Sequence, residues 1–442
     1  MKIFKAYKSY EKFLKSEKSD YISHSINEIQ RTYLFPSNDI ENIFVKIKKL
    51  FFYLFDNFQL DTSLKDKKTD ILIISNLLNY KSLSNDLYFG KLDKILIKQK
   101  IKTTKIYRNF LDVNQNNLSS YFKSKQLILG KRLTFVEEIY HLSIAFKEII
   151  IFLFFNKYEN IKRYLGIKDF LSIINNLRHV KQINKCIRKL NPKIVVFTFE
   201  GHPWERMLNY SIKRFNDNII TVAYQFSIIK RGQVGLFREL KKNYNPDYLA
   251  TSGKMTYELL KKKIKYAQIF KLGSNKWRKK SISSKKVMLI ALDESKTLEG
   301  KMLDFCVKFK NIKIVIRLHP LIKNNKKRLD YITKRVSKNN NIFISDKSLK
   351  QDLEISKYVL FINSSIAYEA LFFNIIPIFF KNNIKPNIFD KNFPKEFVVD
   401  NKKTFLNIIT KDKEFKKIKY FKKYQDEYFQ KYETKKIQEL LN

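Results

Sequence analysis

Histidine and proline are scarce in this sequence, five and eight in 442 residues, yet the pair His-Pro occurs twice, at His202-Pro203 and His319-Pro320. Each pair follows a short β-branched apolar run. In Glu200-Gly201-His202-Pro203-Trp204-Glu205-Arg206 a carboxylate and an imidazole leave one strand end together, and either can accept a proton from a hydroxyl nucleophile. At Arg317-Leu318-His319-Pro320 the imidazole can donate to a phosphate oxygen while Pro320 fixes the turn; Arg317 alternates to the other side of the strand or braces the loop. A third group, Asn363-Ser364-Ser365, runs into Ile366-Ala367-Tyr368-Glu369-Ala370-Leu371. Two hydroxyls at a helix start, beside free backbone N–H groups, make a phosphate cradle, or one serine is simply a cap. Glu369, one turn later, reaches a ribose hydroxyl or answers that cap. Trp204 is read either as a platform for an acceptor sugar or as a buried indole locking the turn. Gln225, in Tyr224-Gln225-Phe226-Ser227, and the run Gly273-Ser274-Asn275 are expected to line the same cleft.

Such groups need a scaffold that gathers strand ends. The length suits two domains rather than one core. From about residue 190, short β-branched runs alternate with helical stretches as in a parallel, doubly wound sheet. The expected strands are 70–75, 194–199, 219–224, 248–251 and 268–272, then a second series at 287–291, 312–318, 341–345, 358–362 and 376–379. The basic stretch 276–286 reads as the connection, placing an acceptor-side domain over 1–280 and a nucleotide-sugar-binding domain over 281–442. Residues 1–65 and most of 85–185 show helical periodicity, and 146–155 reads as a buried core helix. The tail 411–441 carries Phe415, Ile418, Phe421, Tyr424, Tyr428 and Tyr432 at spacings of three or four, the pattern of a basic amphipathic helix packed back on a domain or lying on a membrane. Ligands of such sheets bind beyond the carboxyl ends of the strands, where the three motifs fall.

Arg317-Leu318-His319-Pro320, then Ser364-Ser365 with Glu369-Ala370, resembles the nucleotide-binding half of GT-B glycosyltransferases, particularly bacterial transferases of sialic-acid-like and Kdo sugars from CMP donors. The resemblance covers about residues 190–385. It implies an α/β fold of two Rossmann-like domains with extra N-terminal helices and a C-terminal amphipathic helix, His319, Pro320, Ser364 and Ser365 holding CMP, and Glu200 with Gly201 as the acidic base motif. Phe199 stands where that motif often has a second acid, so His202 remains the competing base. The implied activity is inverting transfer of an acidic sugar to an oligosaccharide or lipid-linked acceptor of a surface polysaccharide or lipooligosaccharide. A nucleotide-diphosphate sugar or CDP-glycerol is the alternative donor. Asp293 and Glu294 follow a strand, but no Asp-x-Asp motif accompanies them, so neither a metal nor a cofactor beyond the nucleotide sugar is expected.

Composition sets the competing class. A net charge of +46 invites nucleic acid or an anionic membrane face as partner. The charge is spread along the whole chain, however, and no nucleic-acid-binding module accompanies it. With 44% hydrophobic and 15% aromatic residues the chain can bury full cores. Only Cys186 and Cys306 occur, indicating neither a disulfide framework nor a zinc site and fitting a reducing cytoplasm. The longest apolar run, Ile149–Phe155, is too short for a membrane span, so the expected location is cytoplasmic, with peripheral contact to the inner face of the cell membrane.

Overall fold

The computed structural model describes residues 68–77, 86–109, 127–129, 133–155, 167–229, 234–240, 242–277, 287–292, 296–318, 326–362, 364–381, 393–411 and 418–442. The expected N-terminal helices at 1–65 lie outside them, as do His319, Pro320, Asn363, Asp293 and Glu294. The first sheet contains β1 (Ile71–Leu77), β2 (Thr103–Asn109), β3 (Leu127–Ile128), β4 (Ile194–Thr198), β5 (Ile220–Gln225), β6 (Tyr248–Thr251) and β7 (Gln268–Lys271). The second contains β8 (Val287–Ala291), β9 (Ile314–Arg317), β10 (Ile342–Ile344), β11 (Ser356–Phe361), β12 (Ile376–Phe380) and β13 (Val398–Val399). Every ladder in both is parallel.

The central strands read as continuous apolar runs, Ile-Val-Val-Phe-Thr in β4 and Val-Met-Leu-Ile-Ala in β8, with every residue buried. A strand covered on both faces needs no polar alternation, so these runs select a parallel sheet between helical layers. The strand orders are β3-β2-β1-β4-β5-β6-β7 and β10-β9-β8-β11-β12-β13. Each carries the 3-2-1-4-5-6 order of the dinucleotide-binding fold, the first with one strand added. This is the expected α/β architecture of two Rossmann-like sheets in one chain, the GT-B arrangement. The order reverses between β1 and β4 in one sheet and between β8 and β11 in the other.

Three local expectations change. The stretch 85–185 also contributes β2 and β3. Helix Phe135–Phe155 is not buried throughout, and its exposed residues include Phe135, Val136, Ile139 and Tyr140. Leu142 and Ala145 pack on helix Ile167–Leu190, whereas Phe146 is 62% exposed. The tail is not one helix but two short ones, Lys419–Tyr424 and Lys435–Glu439. Between them residues 427–433 form an irregular strap across the ends of β6 and β7. Met255 N donates to Glu427 O, Gln430 N to Ser252 O, Ser274 N to Gln430 O, and Glu433 N to Leu272 O. A helix would consume these groups internally. A Cβ at Gly253 would lie 2.5 Å from Tyr428 O and one at Gly273 2.3 Å from Lys431 O, so both glycines make room for the strap. Phe421, Tyr424, Tyr428 and Phe429 complete the second sheet's core, and Ile437 enters a core of the first. Phe421, Tyr424, Tyr428 and Phe429 are thus spent inside the protein, Tyr432 is half-buried, and Phe415 lies outside the described residues.

Candidate functional site

β4 delivers its chain to the first reversal point. Phe199 still pairs, its N–H donating to Tyr224 O at 2.9 Å, and Glu200-Gly201-His202 then leaves the sheet. Gly201 adopts φ +80°, and a Cβ there would lie 2.2 Å from the Gly235 carbonyl carbon, so no other residue fits the turn. Helix Pro203–Phe215 begins at once, with proline at its first turn and Glu205 at its third position. One Glu205 oxygen, Oε2, accepts from Glu200 N (2.9 Å) and His202 N (2.7 Å), holding the backbone of both candidate bases from below. Glu205 is buried, and that burial pushes its carboxyl up to about 7; the neighbouring His202 and the two amide donors act in the opposite direction.

The Glu200 side chain is oriented from two sides. Ser227 Oγ donates to Oε1 at 2.8 Å, and His202 Nε2 lies 3.3 Å from Oε2. Ser227 in turn accepts from Gln225 Nε2 at 2.9 Å. Gln225 is fully buried, so its part is to set the Ser227 hydroxyl rather than to present an amide to a ligand. Glu200 and His202 keep side-chain exposures of 26% and 48%, open enough to meet a substrate. Tyr88, whose ring edge meets Phe226 at 4.6 Å, closes another side; burial first, and then the charge of Glu200, push its phenol up to about 12.

Trp204 and the Glu205-Arg206 pair are structural. Trp204 is 5% exposed, with the Arg108 guanidinium 3.7 Å from its ring centroid. The buried indole is therefore the arrangement found, in place of an open sugar platform. Arg108, pulled down to about 9 by burial while the charge of Glu205 works against that fall, stays cationic at neutral pH. Arg206 is buried rather than on the helix surface, donating to Asn245 Oδ1 (2.7 Å), Arg238 O (2.7 Å) and Gly235 O (3.2 Å) to clamp the loop behind Gly201.

At the second reversal point, Ser364 Oγ accepts from Ile366 N at 3.3 Å, the local cap, and Ser365 Oγ accepts from Lys276 Nζ at 2.9 Å. The helix they open is one turn, Ile366–Glu369, continued as a 3-10 turn Ala370–Phe373. A helix dipole therefore adds little to a cradle made by the hydroxyls. Glu369 Oε1 lies 3.6 Å from Lys276 Nζ, a partner not foreseen in either reading of that carboxylate. Arg317 is not aimed at a ligand: its guanidinium donates to the buried Asp352 (2.7 Å) and to Lys347 O (3.0 Å), bracing the loop after β10. A buried carboxylate needs that cation more than the cleft does.

The two sheets meet through loops beyond their strand ends. Lys276, just past β7, touches Ser365, just past β11, and Ile228, one residue after Ser227, is part of the second sheet's core. Loops beyond the carboxyl ends of both sheets are therefore in contact, with Glu200 held by Ser227 in the first and Ser365 touched by Lys276 in the second. Tyr88, Arg108 and Lys276 carry this geometry without having been singled out by sequence, and Ser227 does so from within the expected Tyr224-Gln225-Phe226-Ser227 loop. Ser227 and Lys276 share the one available signal, a position just beyond a strand end. Among the described residues no group of three or more His, Cys, Asp or Glu stands in metal-holding geometry, and no helix is long and apolar enough to cross a membrane.

No protein-family model matches the chain, and none of the curated proteins matches it. Solved structures are similar to the chain at low identity. The UDP-GlcNAc 2-epimerase of Neisseria meningitidis bound to UDP-GlcNAc is 12% identical, with a TM-score of 0.45 over 84% of this chain and 99% of that one. The Methanocaldococcus jannaschii UDP-GlcNAc 2-epimerase in complex with UDP-GlcNAc and UDP gives 13% identity and 0.47 over 78% and 93%. A glycosyltransferase from Rickettsia africae gives 12% and 0.43 over 81% and 92%.

Proposed function

We propose that this chain is a GT-B glycosyltransferase that moves an acidic sugar from a CMP-activated donor to a surface-polysaccharide or lipooligosaccharide acceptor, inverting the anomeric centre without a metal. The observation that supports the reading is Glu200, an oriented, partly exposed carboxylate just past β4, in a chain whose two sheets meet through strand-end loops at Lys276 and Ser365. In transfer, the acceptor hydroxyl loses its proton to Glu200 Oε2 as its oxygen attacks the anomeric carbon, and the bond to the nucleotide phosphate breaks on the opposite side. His319 with the Ser364 and Ser365 hydroxyls would receive the departing phosphate charge. The residues of this chain read phosphate more directly than they read the sugar, so a nucleotide-diphosphate sugar or CDP-glycerol is the donor alternative. A domain split near residue 280, with the tail returning to the first sheet, matches this division of labour. The +46 charge suits an anionic membrane face as the site of a lipid-linked acceptor, at about 1 kcal/mol per well-placed cation, with the surface rather than the tail as the contact.

The contact between His202 Nε2 and Glu200 Oε2 favours one second reading, in which the imidazole is the base and Glu200 orients it. Single-turnover transfer with CMP-linked and UDP-linked donors separates the two. Glu200→Gln should keep donor affinity, since the donor sits on the other sheet, and lose about 100-fold or more in rate, with His202→Ala losing less. Near wild-type rates in Glu200→Gln beside an inactive His202→Ala would reverse the roles.

A further inference from the structure

The loop after β7 is built more rigidly than a connection between domains requires. Gly273 sits at φ +93° with its carbonyl accepting from the Tyr224 hydroxyl at 2.8 Å, and Ser274 N is bonded to the strap at Gln430 O. Asn275 Nδ2 donates to Asp86 O and Leu87 O, both at 2.9 Å. Lys276 N donates to Ser274 Oγ at 3.1 Å, and Trp277 N returns to Ser274 O at 3.2 Å. The product of this framework is one ammonium group. Lys276 crosses from the first sheet to the second and ends 2.9 Å from Ser365 Oγ, 3.6 Å from Glu369 Oε1 and 5.3 Å from the centroid of the Phe429 ring.

We propose that Lys276 is a phosphate-binding residue of the donor site, supplied by the first sheet to the reversal point of the second. The inference rests on the donor reading of Ser364-Ser365 given above and adds the cation which that reading lacks among the described residues, since Arg317 is committed to Asp352. An ammonium group has three donors. Ser365 and Glu369 occupy two directions, and an anion seated at the serine hydroxyls takes the third. Among the described residues Glu369 is the one carboxylate it meets there, so the phosphate gains a charge-assisted bond to the remaining donor. Because the cation comes from one sheet and the hydroxyls from the other, the phosphate would tie the two sheets together.

The test compares nucleosides with their phosphates on the full-length protein. Calorimetric affinities for cytidine, CMP, uridine and UDP are measured for wild type, Lys276→Arg, Lys276→Gln and Lys276→Ala, with melting temperatures alongside. Lys276→Gln keeps a donor for Ser365 and removes only the charge, which guards against a folding defect in the alanine variant. The expected result is a loss of about ten-fold or more for the phosphate-bearing ligand in Lys276→Gln and Lys276→Ala, little loss in Lys276→Arg, and unchanged nucleoside binding. Equal losses for nucleoside and nucleotide would make Lys276 a latch between the sheets and overturn the assignment, as would no loss at all. A wild-type protein that binds none of the four ligands would overturn the donor reading itself, and this inference with it.

Discussion

Replacing Glu205 by glutamine should change how stability depends on pH without rebuilding the site. Both amides that Glu205 accepts, from Glu200 and His202, point at the same oxygen, so a glutamine carbonyl can take both. What disappears is the titration. The folded-state value of about 7 stands above the ordinary 4.5, so between those limits the folded chain holds a proton that the unfolded chain has released. The group's contribution to stability is therefore full below pH 4.5 and is lost as pH rises to about 7, a total of about 3 kcal/mol at ~1.4 kcal/mol per unit. Urea unfolding at pH 5, 6, 7 and 8, comparing midpoints at constant m, should show the wild type losing about 2 to 3 kcal/mol more than Glu205→Gln across that range. Parallel stability curves for the two proteins would refute the claim that burial of this carboxylate costs the fold anything.

The remaining expectations concern the turn, the relay, the brace and the tail. Gly201→Ala should lower stability by about 2 kcal/mol or more in chemical denaturation, since positive φ and the approach to Gly235 act together, and transfer activity should fall with it. Ser227→Ala removes the 2.8 Å donor from Glu200 and should slow single-turnover transfer by about ten-fold while the melting temperature hardly moves. Arg317→Ala strands the buried Asp352 and should cost about 3 kcal/mol in unfolding, with nucleotide affinity unchanged in the folded protein; a selective loss of nucleotide binding would return Arg317 to the donor site. Deleting residues 418–442 should prevent soluble expression, because Phe421, Phe429 and Ile437 are completely buried, each worth about 1.5–3 kcal/mol.

Much of the architecture can be read from the chain directly. Short continuous runs without charged residues, such as 194–198 and 287–291, read as strands covered on both faces, and their alternation with helical stretches already implies parallel sheets. The same local logic places Glu200, Ser364 and Ser365 at strand ends, because the residue after a buried run has nowhere to go but the sheet's edge. Long-range pairing has no such local signature. The partner of Arg317 is 35 residues away, that of Glu200 is 27, and that of Lys276 is 89. An arginine beside a strand end looks the same whether it meets a phosphate or a buried aspartate; only packing decides which anion is closer. The tail shows the same limit. A spacing of three or four aromatic residues satisfies a helix, yet the glycines at 253 and 273 open room for an irregular strap, and the backbone bonds offered there outcompete the helix. The sequence by itself determined which segments are strands and which residues stand at their ends; tertiary structure decided which of those residues face the cleft, because that depends on partners the local chain does not contain.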